Sequence, residues 1–162
     1  MGAMTDTGEL RFTKGHGTEN DFVLVADLDG SHYLTAGQVR LLTDRRAGIG
    51  GDGLIRVVPT QAAAEQHVRD QGAQARWFMD YRNADGGSAE MCGNGARVFA
   101  AYLRREGLET ADEFAIATRG GRGRCSPPTS CWPGSSASSS SSCAATRSSG
   151  SGSRSRSCCR WR

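Results

Sequence analysis

The stretch best equipped for chemistry spans residues 80–97, DYRNADGGSAEMCGNGAR. A strand ends, a turn follows, and one cysteine, Cys92, stands directly before a Gly-Asn-Gly that opens a helix. The first-turn N–H groups of a helix have no intrahelical acceptor, and with the helix dipole they stabilise an anion. A thiol placed there is favoured as its thiolate, the basic and nucleophilic form. Gly93 and Gly95 let a small molecule approach the backbone with no Cβ in the way. Asn94 adds a neutral amide that both donates and accepts. The pattern fits a reactive thiolate beside a bound carboxylate or similar anion. The competing reading is a structural cysteine near a helix start, for which Gly-Asn-Gly is a poor choice because it adds little packing.

Two further stretches carry polar groups between expected strands. Residues 14–22, KGHGTENDF, crowd His16, Glu19, Asn20 and Asp21 together. Loops held by strands are common functional positions, and equally a hairpin turn can use Asn and Asp to bond its own backbone. Residues 45–54, RRAGIGGDGL, are rich enough in glycine to cradle an anion. They do not form a P-loop, since no Gly-Lys-Ser/Thr follows, and they lack the helix and downstream acid of a dinucleotide fingerprint.

Those residues need elements to hold them. Residues 10–14 and 21–27 read as strands, rich in Phe, Val and Leu, with a glycine-containing loop between. Thr35 caps a short helix whose buried side carries Val39 and Leu42, with Leu41 beside them. Residues 54–58, 75–81 and 113–118 read as strands, and 83–87 as a turn. Residues 61–72 fit either a short exposed helix or a loop insertion. Residues 93–106 read as a helix, because Ala96, Phe99, Ala100 and Leu103 recur at 3–4 spacing and Gly107 offers a C-terminal cap. Mixed strands with two helices and no regular β-α-β alternation indicate an α+β fold.

Composition splits the 162-residue chain. Its net charge of +3 hides a break after Thr118. Residues 1–118 hold all 17 acidic side chains against 12 basic ones, whereas residues 119–162 hold 8 Arg and no acid. The second segment has no Ile, Leu, Val, Met, Phe or Tyr. It cannot bury enough apolar area to offset the entropy of ordering. The expected organisation is a disordered leader over residues 1–9, a domain over 10–118 and a disordered Ser/Arg/Gly-rich tail over 119–162. No apolar run reaches the ~20 residues of a membrane span, and the polar start lacks a secretory pattern. A cytoplasmic, reducing location is therefore expected, without disulfides. Five of the six cysteines, Cys125, Cys131, Cys143, Cys158 and Cys159, fall in the tail without metal-ligand spacing, so no metal site is expected. Cys92 is the one cysteine expected in a foldable stretch.

Taken together, KGHGTENDFVLV, RRAGIGGDGLI and DYRNADGGSAEMCGNGAR resemble the N-terminal half of diaminopimelate epimerase, in that family's order and spacing over roughly residues 10–118. Proline racemases share a Met-Cys-Gly motif but carry His where this chain has Asn94. The resemblance implies half of a two-domain fold, each half a β-barrel-like sheet around a central helix. It implies a cofactor-free isomerase of lysine and cell-wall precursor synthesis, interconverting LL- and meso-2,6-diaminopimelate. One thiolate removes the α-proton, and a thiol from the second domain returns a proton on the opposite face. By the same resemblance Cys92 is catalytic, and Gly93, Asn94, Asn20 and Asn83 bind substrate. Gly53 falls where some members place a substrate-binding Gln, so that contact is missing or made by backbone alone. Homodimers are common in the family.

After Thr118 the resemblance is expected to stop. A second domain with its Cys-Gly-Thr-Gly motif does not follow, and the tail has the composition of an out-of-frame reading of GC-rich DNA. The chain as written is then truncated and expected to be inactive, because two-base epimerisation needs a donor opposite Cys92. Two alternatives stand beside this reading. One is another amino-acid racemase of the same superfamily. The other is a non-enzymatic remnant whose eight tail arginines attract nucleic acid through counterion release.

Overall fold

A computed structural model describes residues 10–125 and 159–161. The expected leader and most of the expected tail lie outside the described residues. Seven strands form one sheet in chain order: β1 (Phe12–Gly17), β2 (Asn20–Ala26), β3 (Gly53–Pro59), β4 (Trp77–Asn83), β5 (Phe114–Ala117), β6 (Gly123–Cys125) and β7 (Cys159–Trp161). The β2–β3 and β4–β5 pairs are parallel and the other four antiparallel. Parallel neighbours need a crossover, and helices supply it: α1 (Ala36–Thr43) after β2 and α3 (Gly93–Arg105) after β4. The result is the expected α+β class.

Strand alternation sorts the sheet into two buried faces. Phe22, Leu24, Ile55, Val57, Trp77, Met79 and Tyr81 point to α3, which returns Ala96, Phe99, Ala100 and Leu103 from the face the spacing indicates. The helix touches β1 to β4 and also β7, so the sheet curls around it. Complete burial of side chains such as Phe22, Phe99 and Leu103 stabilises the fold by about 1.5–3 kcal/mol each. Gly107 (φ +68°) ends α3. Its N–H bonds the Arg104 carbonyl at 3.0 Å while Leu108 N–H reaches the Leu103 carbonyl at 2.8 Å, the Schellman arrangement.

The opposite face packs Val23, Val25 and Leu54 on α1 through Val39. Thr35 forms a capping box with Gln38. Leu41 does not join the buried side and is 59% exposed, since two residues carry it about 200° around the helix from Val39. Residues 61–72 hold a short helix, one of the two expected forms, but not a wholly exposed one. A one-turn helix α2 (Gln66–Arg69) sits between two short 3-10 turns. Ala63 and Val68 are buried there against Val58 and Phe78.

This second face also buries charge. Arg56 on β3 donates to Asp80 through Nε (2.9 Å) and to Asp27 and the His32 carbonyl through Nη1 (2.7 and 2.9 Å). Asp80 accepts further from Arg82 (3.2 Å) and Arg119 (2.8 Å), and Arg119 continues to Glu65 (2.7 Å). Burial pushes the Asp80 carboxyl up, but the charges of Arg119, Arg82 and Arg56 outweigh it and hold it below its ordinary value. Arg119 opens the segment that composition assigned to the tail. The structure nevertheless places Arg119 in this network, pairs β6 with β5, and buries Cys125 in the core. Cys92 is therefore not the one cysteine in a folded stretch. Backbone pairing and a few core contacts suffice where side-chain composition alone gave no such signal.

Candidate active site at the start of the third helix

The sheet register assembles the site. Phe22 on β2 pairs with Gly53 on β3, which pairs with Asn83 on β4. Asn20 lies two residues before Phe22 on the same face. Asn20, Gly53 and Asn83 thus occupy one end of the α3-facing surface, at the end where α3 begins. Cys92 is the N-cap of α3 (φ −138°, ψ 118°), and its Sγ accepts the Gly95 N–H at 3.4 Å. The thiol also lies 4.0 Å from Asn20 Oδ1. The free N–H groups at the helix start and the half-buried thiol therefore share one opening.

Gly93 and Gly95 have different reasons to lack a side chain. A Cβ on Gly95 would stand 3.2 Å from Ile55 Cδ1 and 3.4 Å from Cys92 Cβ, so that glycine serves packing. A Cβ on Gly93 would meet nothing within 4 Å, which leaves the approach to the backbone clear. Asn94 is half-buried between them.

The hairpin that delivers Asn20 is tighter than the expected loop. β1 runs through Gly17 and β2 starts at Asn20, leaving Thr18 (φ 57°) and Glu19 (φ 65°) as the two turn residues. Left-handed backbone costs roughly 1–2 kcal/mol at each non-glycine residue, and a β-branched Thr is rare there. Arg97 of α3 offsets part of that by donating to Thr18 Oγ1 at 2.9 Å. Gly17 passes so close to α3 that a Cβ would stand 3.1 Å from the Asn94 carbonyl oxygen and from Val98. His16 and Asp21, by alternation, turn away from Cys92. Asp21 meets Arg45 at 2.6 Å and Lys14 at 2.9 Å. Arg45 first, then Lys14, hold its carboxyl well below the ordinary range despite partial burial.

The glycine-rich stretch does not cradle an anion. Gly48, Ile49, Gly50 and Gly51 donate their N–H groups to the carbonyls of Asp44, Leu42, Leu42 and Thr43, and Asp52 donates to Asp21. These donors are already committed. Gly50 adopts φ +81°, and its carbonyl accepts the Lys14 ammonium.

Gly53 explains itself sterically. A Cβ would lie 2.7 Å from the Arg82 carbonyl oxygen and 2.7 Å from the Tyr81 ring. Tyr81 fills that place, and its hydroxyl donates to Asn83 Oδ1 at 2.9 Å. Burial, then the charges of Cys92 and Asp52, push the Tyr81 hydroxyl up, which places Tyr81 among the site groups. Gly53→Ala is expected to destabilise the fold by about 1–3 kcal/mol through overpacking, read as a lower urea midpoint at unchanged slope. A wild-type midpoint would contradict the steric account.

The family model of diaminopimelate epimerase matches residues 12–126. The chain belongs to the diaminopimelate epimerase family. The match runs past Thr118, where the resemblance was expected to end, and takes in β6. Over 112 residues the chain is 56% identical to the diaminopimelate epimerase of Streptomyces coelicolor, covering 69% of this chain and 38% of that one. Over 114 residues it is 56% identical to that of Thermobifida fusca, covering 69% and 42%. It thus spans less than half the length of either relative. Among solved structures, a phenazine biosynthesis protein of the PhzF family from Bacillus anthracis aligns with a TM-score of 0.48 at 21% identity, over 72% of this chain and 34% of that one. Within this diaminopimelate epimerase family chain, Cys92, Asn20, Gly93 and Asn94 gather around one helix start, and the register of β2 to β4 places Asn83 at the same end of the sheet. Tyr81, Asp52 and Arg97 are site neighbours that sequence reading missed. Of these, Tyr81 carries a signal: it shares the period-2 face of Asn83.

Proposed function

We propose that Cys92 is one of the two proton-transfer thiols of a diaminopimelate epimerase. The observation that carries this reading is the placement of Cys92 Sγ at the first turn of α3, with the Gly95 N–H at 3.4 Å and Asn20 at 4.0 Å. The Cys92 thiolate takes the α-proton of a bound amino acid and becomes a thiol. The electron pair left on the α-carbon delocalises into the substrate carboxylate, which the first-turn N–H groups at Gly93 and Asn94 stabilise. A thiol on the opposite face then donates a proton to that carbon, so one S–H is formed and one is lost. Asn20 and Asn83 orient the remainder of the substrate as hydrogen-bonding amides. No cofactor enters this scheme.

Cys125 is fully buried and does not reach a substrate held at Cys92. By analogy with the family's two-domain plan, the second thiol comes from outside the described residues. The working location is the cytoplasm, and pairing with a second copy follows the family habit.

The test is alkylation of the full chain with iodoacetamide at neutral pH, followed by peptide mass spectrometry. Cys92 is expected to react faster than Cys125. LL-diaminopimelate at ten times its Kd is expected to slow Cys92 by about tenfold through mass action. Protection by hydroxyproline or another amino acid instead would move the reading to a different racemase. No protection by any amino acid would remove it.

A further inference from the structure

We infer that Asp52 is a positioning residue that fixes which end of the Asn20 amide faces the Cys92 sulfur. This rests on the reading of Cys92 as a proton-transfer thiol and adds a residue to that site. An amide has a donating end and an accepting end, and packing alone does not choose between them. Here the choice is made chemically. Asp52 Oδ2 accepts from Asn20 Nδ2 at 2.7 Å and from the Asp21 N–H at 3.1 Å. A carboxylate only accepts, so the amide nitrogen must point to Asp52 and Oδ1 must point to Cys92, 4.0 Å away. Asp52 is itself held, because Arg45 Nη2 donates to its other oxygen at 2.9 Å. The Asp21 carboxylate holds the same guanidinium at 2.6 Å. The chain of contacts therefore runs from Asp21 through Arg45 and Asp52 to Asn20 and the sulfur.

The consequence is a sulfur set between one donor and one acceptor. The Gly95 N–H favours the thiolate, and Asn20 Oδ1 favours the thiol by accepting its S–H. A group that must take a proton in one direction and give it in the other needs both states within reach. If the amide turned over, both neighbours would donate and the thiolate alone would be favoured. Ionisable neighbours at the site are the Tyr81 hydroxyl, which donates to Asn83, the Asp52 carboxylate with Arg45, and Arg97, which donates to Thr18. The Asp52 charge is matched by Arg45, which weakens its direct field at the sulfur.

The experiment measures the iodoacetamide rate constant of Cys92 at one neutral pH in four full-length chains: wild type, Asp52→Ala, Asn20→Ala and the double variant. Asp52→Ala is expected to raise the rate by about two- to tenfold, the effect of one hydrogen bond lost from the thiol state. In the Asn20→Ala background the same substitution is expected to change it by less than half as much on a logarithmic scale, because its route to the sulfur is gone. Equal effects in both backgrounds, no effect, or a slower reaction in Asp52→Ala would each overturn the inference. The Cys125 rate, measured in the same digest, reports unfolding: a variant that loses its fold exposes Cys125, and one that keeps it does not. Protection of wild-type Cys92 by diaminopimelate tests the epimerase reading separately and survives a failed cycle.

Discussion

Arg56→Met is expected to lower the unfolding free energy by about 3–5 kcal/mol, the usual cost of leaving a buried charge without its partner. Arg56 is 7% exposed in the middle of the sheet, between Asp27 at 1% and Asp80 at 3%. Asp80 would keep Arg82 and Arg119. Asp27 would keep only the His32 contacts, a backbone N–H at 3.2 Å and a ring nitrogen at 3.4 Å. The loss therefore falls on Asp27. Methionine matches the stem of arginine, so a cavity contributes little and the measured change reports the charge. Urea unfolding followed by circular dichroism reads it as a lower midpoint at unchanged slope. Adding Asp27→Leu is expected to recover part of the loss, since an apolar pair of similar volume is often tolerated where an ion pair stood. A single substitution costing under about 1 kcal/mol would show that water already reaches the pair.

That network shows where sequence reading stops. Arg56 and Asp80 lie on β3 and β4 and Asp27 directly follows β2, and the register of β2 with β3 and of β3 with β4 brings them together. Nothing local marks them, because an isolated charge on a strand ordinarily means a solvated face. The two crossover helices bury both faces instead, so charge ends up inside and must pair. Helix α3 was legible for the opposite reason. Its apolar stripe, its glycine stop and the cysteine at its start are all properties of neighbouring residues. The Thr18-Glu19 turn was not legible, since neither residue type favours left-handed backbone. Contacts from Arg97 to Thr18 hold it, and they come from a helix far along the chain. Residues 119–125 were misjudged because composition weighs side chains, whereas β6 joins by backbone pairing and one buried cysteine. The proposed site residues were singled out by motif, and the grouping of Asn20, Gly53 and Asn83 follows from the register.

Cys92→Ala is expected to cost about 10²–10⁴-fold in epimerisation, the usual contribution of a positioned proton-transfer group. The measurement is made in a full-length background, since this chain spans 42% of the Thermobifida fusca relative. Residues 12–126 of this chain can replace the matched segment of the Thermobifida fusca relative, to which it is 56% identical over 114 residues. That chimera is expected to interconvert LL- and meso-diaminopimelate, with the relative supplying everything beyond the match. Proton exchange in deuterated water sharpens the test. A two-thiol mechanism assigns each face of the α-carbon to one sulfur. Removing Cys92 should therefore abolish solvent exchange of the isomer whose α-proton faces α3, and spare exchange of the other. Loss of both exchanges equally would mean that Cys92 serves binding or folding rather than one face of the carbon. Retention of both would place the proton transfer elsewhere. The selective loss is the outcome that the geometry favours, because α3 presents its thiol from one side of the opening only.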